Sequence, residues 1–332
     1  MYLHEQLQSI AEQSRLPDEV IVCDDGSSDR TTDIVSGFAQ TVSFPIHLSE
    51  NPQNLGPSKN FQGAIRRCNG DIIVLCDQDD RWYPGKLRCI EQTFLSSPNV
   101  GVVFSDADLM DHDGHSLQRR LWQQTFKERD QKRIKTGRVF ELLLQQDIVT
   151  GATMAFRSRF REMILPCDTD IPLLHHDGWI ALIISAVAEV GVLPLPLIRY
   201  RVHRQQHLGI RPINGRRNGH SNGHSNGHSH GHSNGQSALS ARSAKYLEQL
   251  RKLRAVRERL TEMAGMVDDP IVLDRLQRRI QYAERLMAHL HARCRLPSGK
   301  WRRSQIVLRE LMTFRYHRFS RGLLSVARDL TI

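Results

Sequence analysis

Two short apolar runs in the chain end in clusters of carboxylates. Val20-Ile21-Val22-Cys23 runs into Asp24-Asp25-Gly26-Ser27-Ser28-Asp29, and Ile72-Ile73-Val74-Leu75-Cys76 runs into Asp77-Gln78-Asp79-Asp80. Acids crowded at one edge repel one another unless a cation neutralises them. The chemistry this suggests is a divalent metal carrying an anionic substrate such as a diphosphate. In Asp77-Gln78-Asp79-Asp80, alternate carboxylates of a turn can put one oxygen on a metal and another on a ribose hydroxyl. The bland reading is a solvated acidic turn, and a lone Asp-x-Asp does not exclude it.

The elements around these acids must bring them to one place. A continuous β-branched run bounded by turn residues reads as a buried parallel strand, and ligands of open α/β sheets sit just past the carboxyl ends of such strands. Helices are predicted over Tyr2–Gln13, from a Ser27/Ser28/Asp29 cap through Phe38, over Lys86–Leu95 and over Val139–Gln145, and Gly56 to Arg67 reads as a loop leading into a helix. Further strands are predicted at Ile46–Leu48, Val100–Phe104 and Thr153–Phe156. This alternation argues for a mainly parallel, three-layer α/β domain. Trp179 to Ile198 approaches the length of a membrane span. Glu189, Gly191, Pro194 and Pro196 interrupt it, so it reads as a buried helix followed by an extended strand.

The 332 residues are 39% apolar and carry a formal charge of +10. That charge is unevenly placed. From Ser240 onward there are 21 lysines and arginines against 9 acids, whereas the preceding residues hold 25 against 27. Chemistry in front and attachment to something anionic behind is the division this implies. Six scattered cysteines without a Cys-x-x-Cys pair suit a reducing, cytoplasmic setting and no disulfide framework. The start at Met1 is polar and shows no signal peptide.

Asn214 to Gln236 repeats an Asn-Gly-His-Ser unit and reads as a flexible linker. Its five histidines (His220, His224, His228, His230 and His232) are a weak candidate for a soft metal. Beyond it the pattern turns helical, over Ala241–Ala264, Asp269–Cys294 and shorter pieces. The last piece, Phe314 to Leu330, mixes five basic side chains with Phe and Leu. As one basic amphipathic helix it suits an anionic membrane surface. The alternative is an ordinary helix packed on the protein with a solvated basic face. No nucleic-acid recognition motif accompanies the charge.

Several segments share their order and spacing with one family. These are VIVCDDGSSDRT (20–31), NPQNLGPSKN (51–60), DIIVLCDQDDRWYP (71–84), VTGATMAF (149–156), HDGW (176–179) and YRVHRQQHLG (200–209). The chain resembles a family 2 glycosyltransferase of the inverting, GT-A type. Its nearest branch looks like the rhamnosyltransferase-like enzymes of bacterial surface polysaccharide assembly, and the resemblance runs from Tyr2 to about Gly209. It implies a nucleotide-sugar donor, a saccharide or lipid-linked acceptor and a Mg²⁺ or Mn²⁺ ion. It also implies a role for each matching residue. Asp24 and Asp25 would meet the donor's base and ribose, with Lys59 near the nucleotide. Asp77 and Asp79 would form the Asp-x-Asp; with Asp80 they would hold ribose and metal. Asp177 would be the general base, and Arg201 and His203 would approach the diphosphate from the far side. The physical requirements agree: one carboxylate takes the acceptor's proton and a metal offsets charge on the leaving diphosphate. For Asp177 the bland reading is a helix N-cap, and for His203 a surface histidine in a basic loop.

The family pattern normally opens with a strand and a Thr-Tyr-Asn-like loop before the helix that here is Tyr2–Gln13. Their absence raises the expectation that the native chain begins upstream of Met1. Gly178 stands where the family often has an aromatic, and Arg204-Gln205-Gln206-His207 replaces a Gly/Asn-rich loop. The expected organisation is a GT-A domain lacking its first strand over residues 1–211, a linker over 212–239 and a basic helical region over 240–332. A catalytically inactive glycan- or nucleotide-binding module is the rival reading. A nucleotidyltransferase is a third, but it would open with a Gly-rich basic phosphate loop that the chain lacks.

Overall fold

The computed structural model of the chain describes residues 2–167, 171, 174–203, 235–297 and 299–331. The chain divides into two compact units, Met1–Pro212 and Ile213–Ile332. The Asn-Gly-His-Ser tract with its five histidines and the Arg204–His207 stretch lie outside the described residues.

The first unit runs α1 (Leu3–Ala11), β1 (Val20–Asp24), α2 (Thr31–Ala39), β2 (Ile46–Glu50), α3 (Pro57–Arg67), β3 (Ile72–Val74), β4 (Arg81–Trp82), α4 (Lys86–Ser96) and β5 (Val100–Met110). It continues through β6 (Ser116–Arg120), α5 (Trp122–Thr125), α6 (Glu128–Lys135), α7 (Val139–Gln145), β7 (Met154–Arg157), α8 (Arg161–Ile164), α9 (His176–Val187) and β8 (Glu189–Arg201).

Its strands form two sheets. β1 and β2 pair in parallel, Val20 opposite Ile46 through Asp24 opposite Glu50. Leu7 of α1 and Val35 and Phe38 of α2 pack with Val22, Ile46 and Leu48. The second sheet has the order β3-β7-β5-β8-β4, with β6 paired to β5. Only β5 and β8 are parallel there; β3–β7, β5–β7, β4–β8 and β5–β6 are antiparallel.

The expectation of a mainly parallel sheet is therefore corrected. The run ending at Asp24 is a parallel strand but only half-buried, and the run ending at Asp77 pairs antiparallel. An apolar run reports how many faces are covered, not the direction of its neighbour.

The core lies between β5 and the helices. β5 is buried along almost its whole length, and α9 is buried from Gly178 through Val187. Gly101 lets them meet: a Cβ there would lie 2.6 Å from Ile184 Cγ2 and 2.7 Å from Ala188 Cβ. The apolar stretch 179–198 breaks at Ala188 into α9 and β8. Pro194 falls where the β5–β8 register shifts, from Ser105 opposite Leu193 to Asp106 opposite Pro196. A residue that cannot donate to the ladder is tolerated at such an irregularity. Among the described residues no helix is long and apolar enough to cross a membrane.

The second unit is helical: α10 (Gly235–Ala264), α11 (Pro270–Cys294), α12 (Lys300–Met312), α13 (Arg315–Phe319) and α14 (Leu323–Thr331). α10 buries Leu250, Leu253, Val256, Leu260 and Met263, a spacing of three and four residues that keeps one stripe inward. Asp269 caps α11, its carboxylate accepting from the backbone N–H groups of Ile271 and Val272. Val307, Tyr316 and Val326 form a small core for α12, α13 and α14. Phe314 to Leu330 is not the single helix expected. Phe314, with φ +56°, precedes α13, and Gly322, with φ +57°, separates α13 from α14.

Candidate active site

The acidic loop begins where β3 ends. Leu75 N–H still donates to Met154 O (3.0 Å), after which Cys76 to Asp80 leave the sheet and return through β4. Asp80 is fully buried. Its Oδ1 accepts from Arg201 N–H at 2.9 Å, while its Oδ2 is buried without a hydrogen-bond partner. Burial, followed by repulsion from Asp77 and Asp79, holds the Asp80 carboxyl well above the usual carboxylate range. Asp77 is pushed up to about 7 by burial and then by Asp79 and Asp177, with Lys86 opposing. Asp79 Oδ2 lies 2.9 Å from His203 Nε2.

This donor set fits a hard divalent cation. Three carboxylates share a four-residue loop, two of them disfavour their own ionisation, and one oxygen has no protein partner.

Asp177 approaches from the other side of the chain's sequence. It stands in the first turn of α9, where its Oδ2 accepts from Gly151 N–H at 2.8 Å and its Oδ1 from Gly178 N–H at 2.8 Å. A Cβ on Gly151 would lie 3.4 Å from Asp177 Cβ and 3.4 Å from His176 Nε2. Gly151 therefore admits both side chains beside its backbone. His176 is buried, stacks on Phe61 with centroids 4.2 Å apart, and has neither ring nitrogen hydrogen-bonded. Burial holds its pKa below the ordinary value, with His175 adding to the shift and Asp177 opposing it.

The residues after β1 have a different surrounding. Asp24 Oδ2 accepts from the N–H groups of Gly26 (3.1 Å) and Ser27 (2.9 Å). Asp25 Oδ1 accepts from Asn51 Nδ2 and Leu55 N, and its Oδ2 from Gly56 N at 2.8 Å. Burial pushes the Asp25 carboxyl up, but the bonds from Leu55, Asn51 and Gly56 outweigh it and leave the pKa lowered. Gly56 has φ +82°, the left-handed region that favours glycine. Both oxygens of Asp25 thus pin the 51–56 loop to β1. Lys59 is exposed in the first turn of α3.

Arg201, expected at the diphosphate, is turned into the protein. Its Nε donates to Asp79 O (2.7 Å), one terminal nitrogen to His112 O (3.0 Å) and the other to Glu5 Oε2 (2.6 Å). Its guanidinium lies 4.2 Å from the Tyr2 ring centroid. A buried arginine must satisfy five N–H donors, and backbone carbonyls around the acidic loop supply that need. It holds the loop from behind.

Two neighbours carried no signal in the sequence. Lys86 is wholly buried; its Nζ donates to Ala152 O at 2.8 Å and lies 3.7 Å from the Trp82 ring centroid. Burial lowers its pKa to about 8 against the pull of Cys76, Asp80 and Asp77. At the start of a helix after Pro84-Gly85, a lysine reads as solvent-exposed. Tyr200 is buried, and burial together with Asp80, Asp77, Asp79 and Asp177 holds its phenol well above the ordinary value. One further acidic group sits on the β5–β6 hairpin, where ligand atoms of Asp111, Asp113 and His115 lie within 4.8 Å of one another.

The family model for glycosyl transferase family 2 matches residues 1–162. An uncharacterised glycosyltransferase of Nostoc sp. is 24% identical over 210 residues, 61% of each chain. The abequosyltransferase of Salmonella typhimurium is 35% identical over 98 residues, 29% of each chain. The chain thus spans 61% and 29% of the length of these relatives. Among solved structures, Staphylococcus aureus TarS 1–349 is 15% identical, with a TM-score of 0.47 over 96% of this chain and 84% of that one. The first unit is a mixed α/β domain, and its residues 1–162 carry the likeness to glycosyl transferase family 2.

Proposed function

We propose that the chain transfers a sugar from a nucleotide-sugar donor to a saccharide or lipid-linked acceptor, with inversion, in the synthesis of a cell-surface polysaccharide at the cytoplasmic face of a membrane. One observation carries the chemistry. The 151–154 segment accepts the Leu75 N–H at Met154 O, two residues before Asp77, and donates its Gly151 N–H to Asp177 Oδ2, about a hundred residues further on. One short segment thus holds both the start of the candidate metal-diphosphate loop and the candidate base, which supports this reading.

In this reading the backbone N–H groups of Gly151 and Gly178 fix the Asp177 carboxylate. Asp177 takes the proton of the acceptor hydroxyl as that oxygen bonds to the anomeric carbon. The bond from that carbon to the diphosphate oxygen breaks on the opposite face, and the nucleoside diphosphate leaves with the electron pair. Asp77, Asp79 and Asp80 would hold Mg²⁺ or Mn²⁺, which supplies positive charge against the departing diphosphate. His203 and Arg201 keep Asp79 and its backbone in place. Asp24, Asp25 and Lys59 are proposed to form the nucleotide end, with Asp25 acting through the 51–56 loop it orders.

The test uses the full chain with nucleotide-sugars and Mn²⁺, measuring donor binding by calorimetry and nucleoside diphosphate release. Asp79→Asn should lose donor binding. Asp177→Asn should bind normally and turn over about 10²- to 10⁴-fold more slowly. Normal transfer by Asp177→Asn removes that residue as the base. Donor binding by the unaltered chain without turnover on any acceptor supports the inactive binding module instead.

A further inference from the structure

The helices α12 and α14 each bury one valine and two polar side chains, and leave most of their large apolar side chains outside. On α12 the buried positions include Arg303 and Glu310, while Trp301, Leu308 and Met312 face solvent on one stripe, Trp301 76% and Met312 73% exposed. On α14 the buried positions are Ser325, Val326 and Asp329, and Leu323 and Leu324 face outward, 65% and 74% exposed. Phe314, between them in sequence, is 72% exposed. A helix in water normally turns these types the other way.

The polar groups inside are paired. Glu310 meets His289 Nδ1 at 2.8 Å and accepts from Arg315 at 2.9 Å. Asp329 accepts from Arg293 Nε at 2.7 Å and from the Tyr316 hydroxyl at 2.8 Å. Arg303 Nε donates to Pro297 O at 2.9 Å. These pairs hold this arrangement together and leave the apolar side chains outside.

The charge outside has one sign. Between Gly299 and Thr331 the only acids are Glu310 and Asp329, both buried. Lys300, Arg302, Arg309, Arg318, Arg321 and Arg328 are all exposed. Two copies of such a surface would set cation against cation. An anionic lipid surface offers acyl chains to Trp301, Leu323 and Leu324 and phosphates to the arginines.

We infer that α12 to α14 form a docking surface for an anionic lipid bilayer, which seats peripherally on these exposed apolar side chains. The surface gives purpose to the proposed lipid-linked acceptor, on which reading it rests for its role, but lipid binding needs neither donor nor metal.

The experiment is co-sedimentation of the full chain with vesicles of phosphatidylcholine alone, or of phosphatidylcholine and phosphatidylglycerol in a three-to-one ratio. Partition into the anionic vesicles is expected, with a blue shift of Trp301 emission, since Trp82, Trp122 and Trp179 are already buried. A Trp301→Gln/Leu323→Gln/Leu324→Gln variant should partition at least about tenfold less. An Arg302→Gln/Arg309→Gln variant should lose about fivefold per charge at low salt. Both should keep the far-ultraviolet circular dichroism of the parent.

A folded parent protein that ignores anionic vesicles overturns the inference. So does a dimer in light scattering that the glutamine variants abolish, because the stripe then covers a second copy. Partition without sugar transfer upholds the surface and defeats the enzymatic reading; transfer to a water-soluble acceptor without partition does the reverse.

Discussion

Replacing Asp77 with asparagine should make the metal-free protein more stable. Asp77 is raised from 3.8 to about 7 by burial and then by Asp79 and Asp177. Three pKa units correspond to about 4 kcal/mol of disfavoured ionisation. The sign follows from linkage: the folded chain holds a proton that the unfolded chain releases, so the penalty is complete above pH 7. It fades as pH falls through 7 toward the unfolded value near 4. Burial lowers the pKa of His176, which pulls the opposite way once pH falls below 6.5, its ordinary value. The comparison therefore belongs near pH 7.5, above the ordinary value of His176 and below the value of about 8 to which burial lowers Lys86.

There Asp77→Asn should stabilise the first unit by up to about 4 kcal/mol in chelator-treated protein. Urea titration followed by tryptophan emission reports this unit, because Trp82, Trp122 and Trp179 are all buried in it. Mn²⁺ at a hundred times its dissociation constant should stabilise the unaltered protein by about 2.7 kcal/mol, and the asparagine variant much less. An asparagine variant no more stable than its parent without metal would refute the reasoning, because the carboxylates would then not be crowded.

Other expectations follow from packing and pairing. Gly101→Ala places a Cβ within 2.8 Å of Ile184, Ala188 and Phe160, and should cost about 1–3 kcal/mol in a urea titration of the first unit. Asp329→Ala leaves the Arg293 guanidinium and Tyr316 hydroxyl without their acceptor. It should lower the stability of the second unit by about 3–5 kcal/mol, read as loss of helical circular dichroism at lower urea. Arg201→Lys keeps the charge but not the fork that reaches Asp79, His112 and Glu5. It should weaken Mn²⁺ binding measurably in calorimetry while the far-ultraviolet spectrum is kept.

The sequence located the acids but not their surroundings. Val20–Cys23 and Ile72–Cys76 announce strands because apolar β-branched runs have few other uses. The antiparallel pairing of β3 with β7 was hidden, since direction depends on a partner about eighty residues away. Arg201 reads like any basic residue after a strand; only the fold shows its donors aimed at carbonyls of the acidic loop and the β5–β6 hairpin. Lys86 is hidden for the same reason. In α12 and α14 the periodicity shows an apolar stripe, but periodicity carries no information on which side faces out. The buried pairs of Glu310 and Asp329 decide that, and they are formed by residues on other helices.

Arg201 also sets when the site can exist. Its backbone N–H bonds Asp80 across 121 residues and its guanidinium bonds Glu5 across 196. Contacts of such separation close late in folding. As the chain leaves the ribosome, Asp77, Asp79 and Asp80 emerge long before β8, and until β8 docks nothing fixes the loop from behind. A nascent chain stopped short of Tyr200 would hold all three acids and no ordered cation site. The metal affinity proposed for this protein would then be a signal that the first unit has folded, gained in a single late step when β8 arrives.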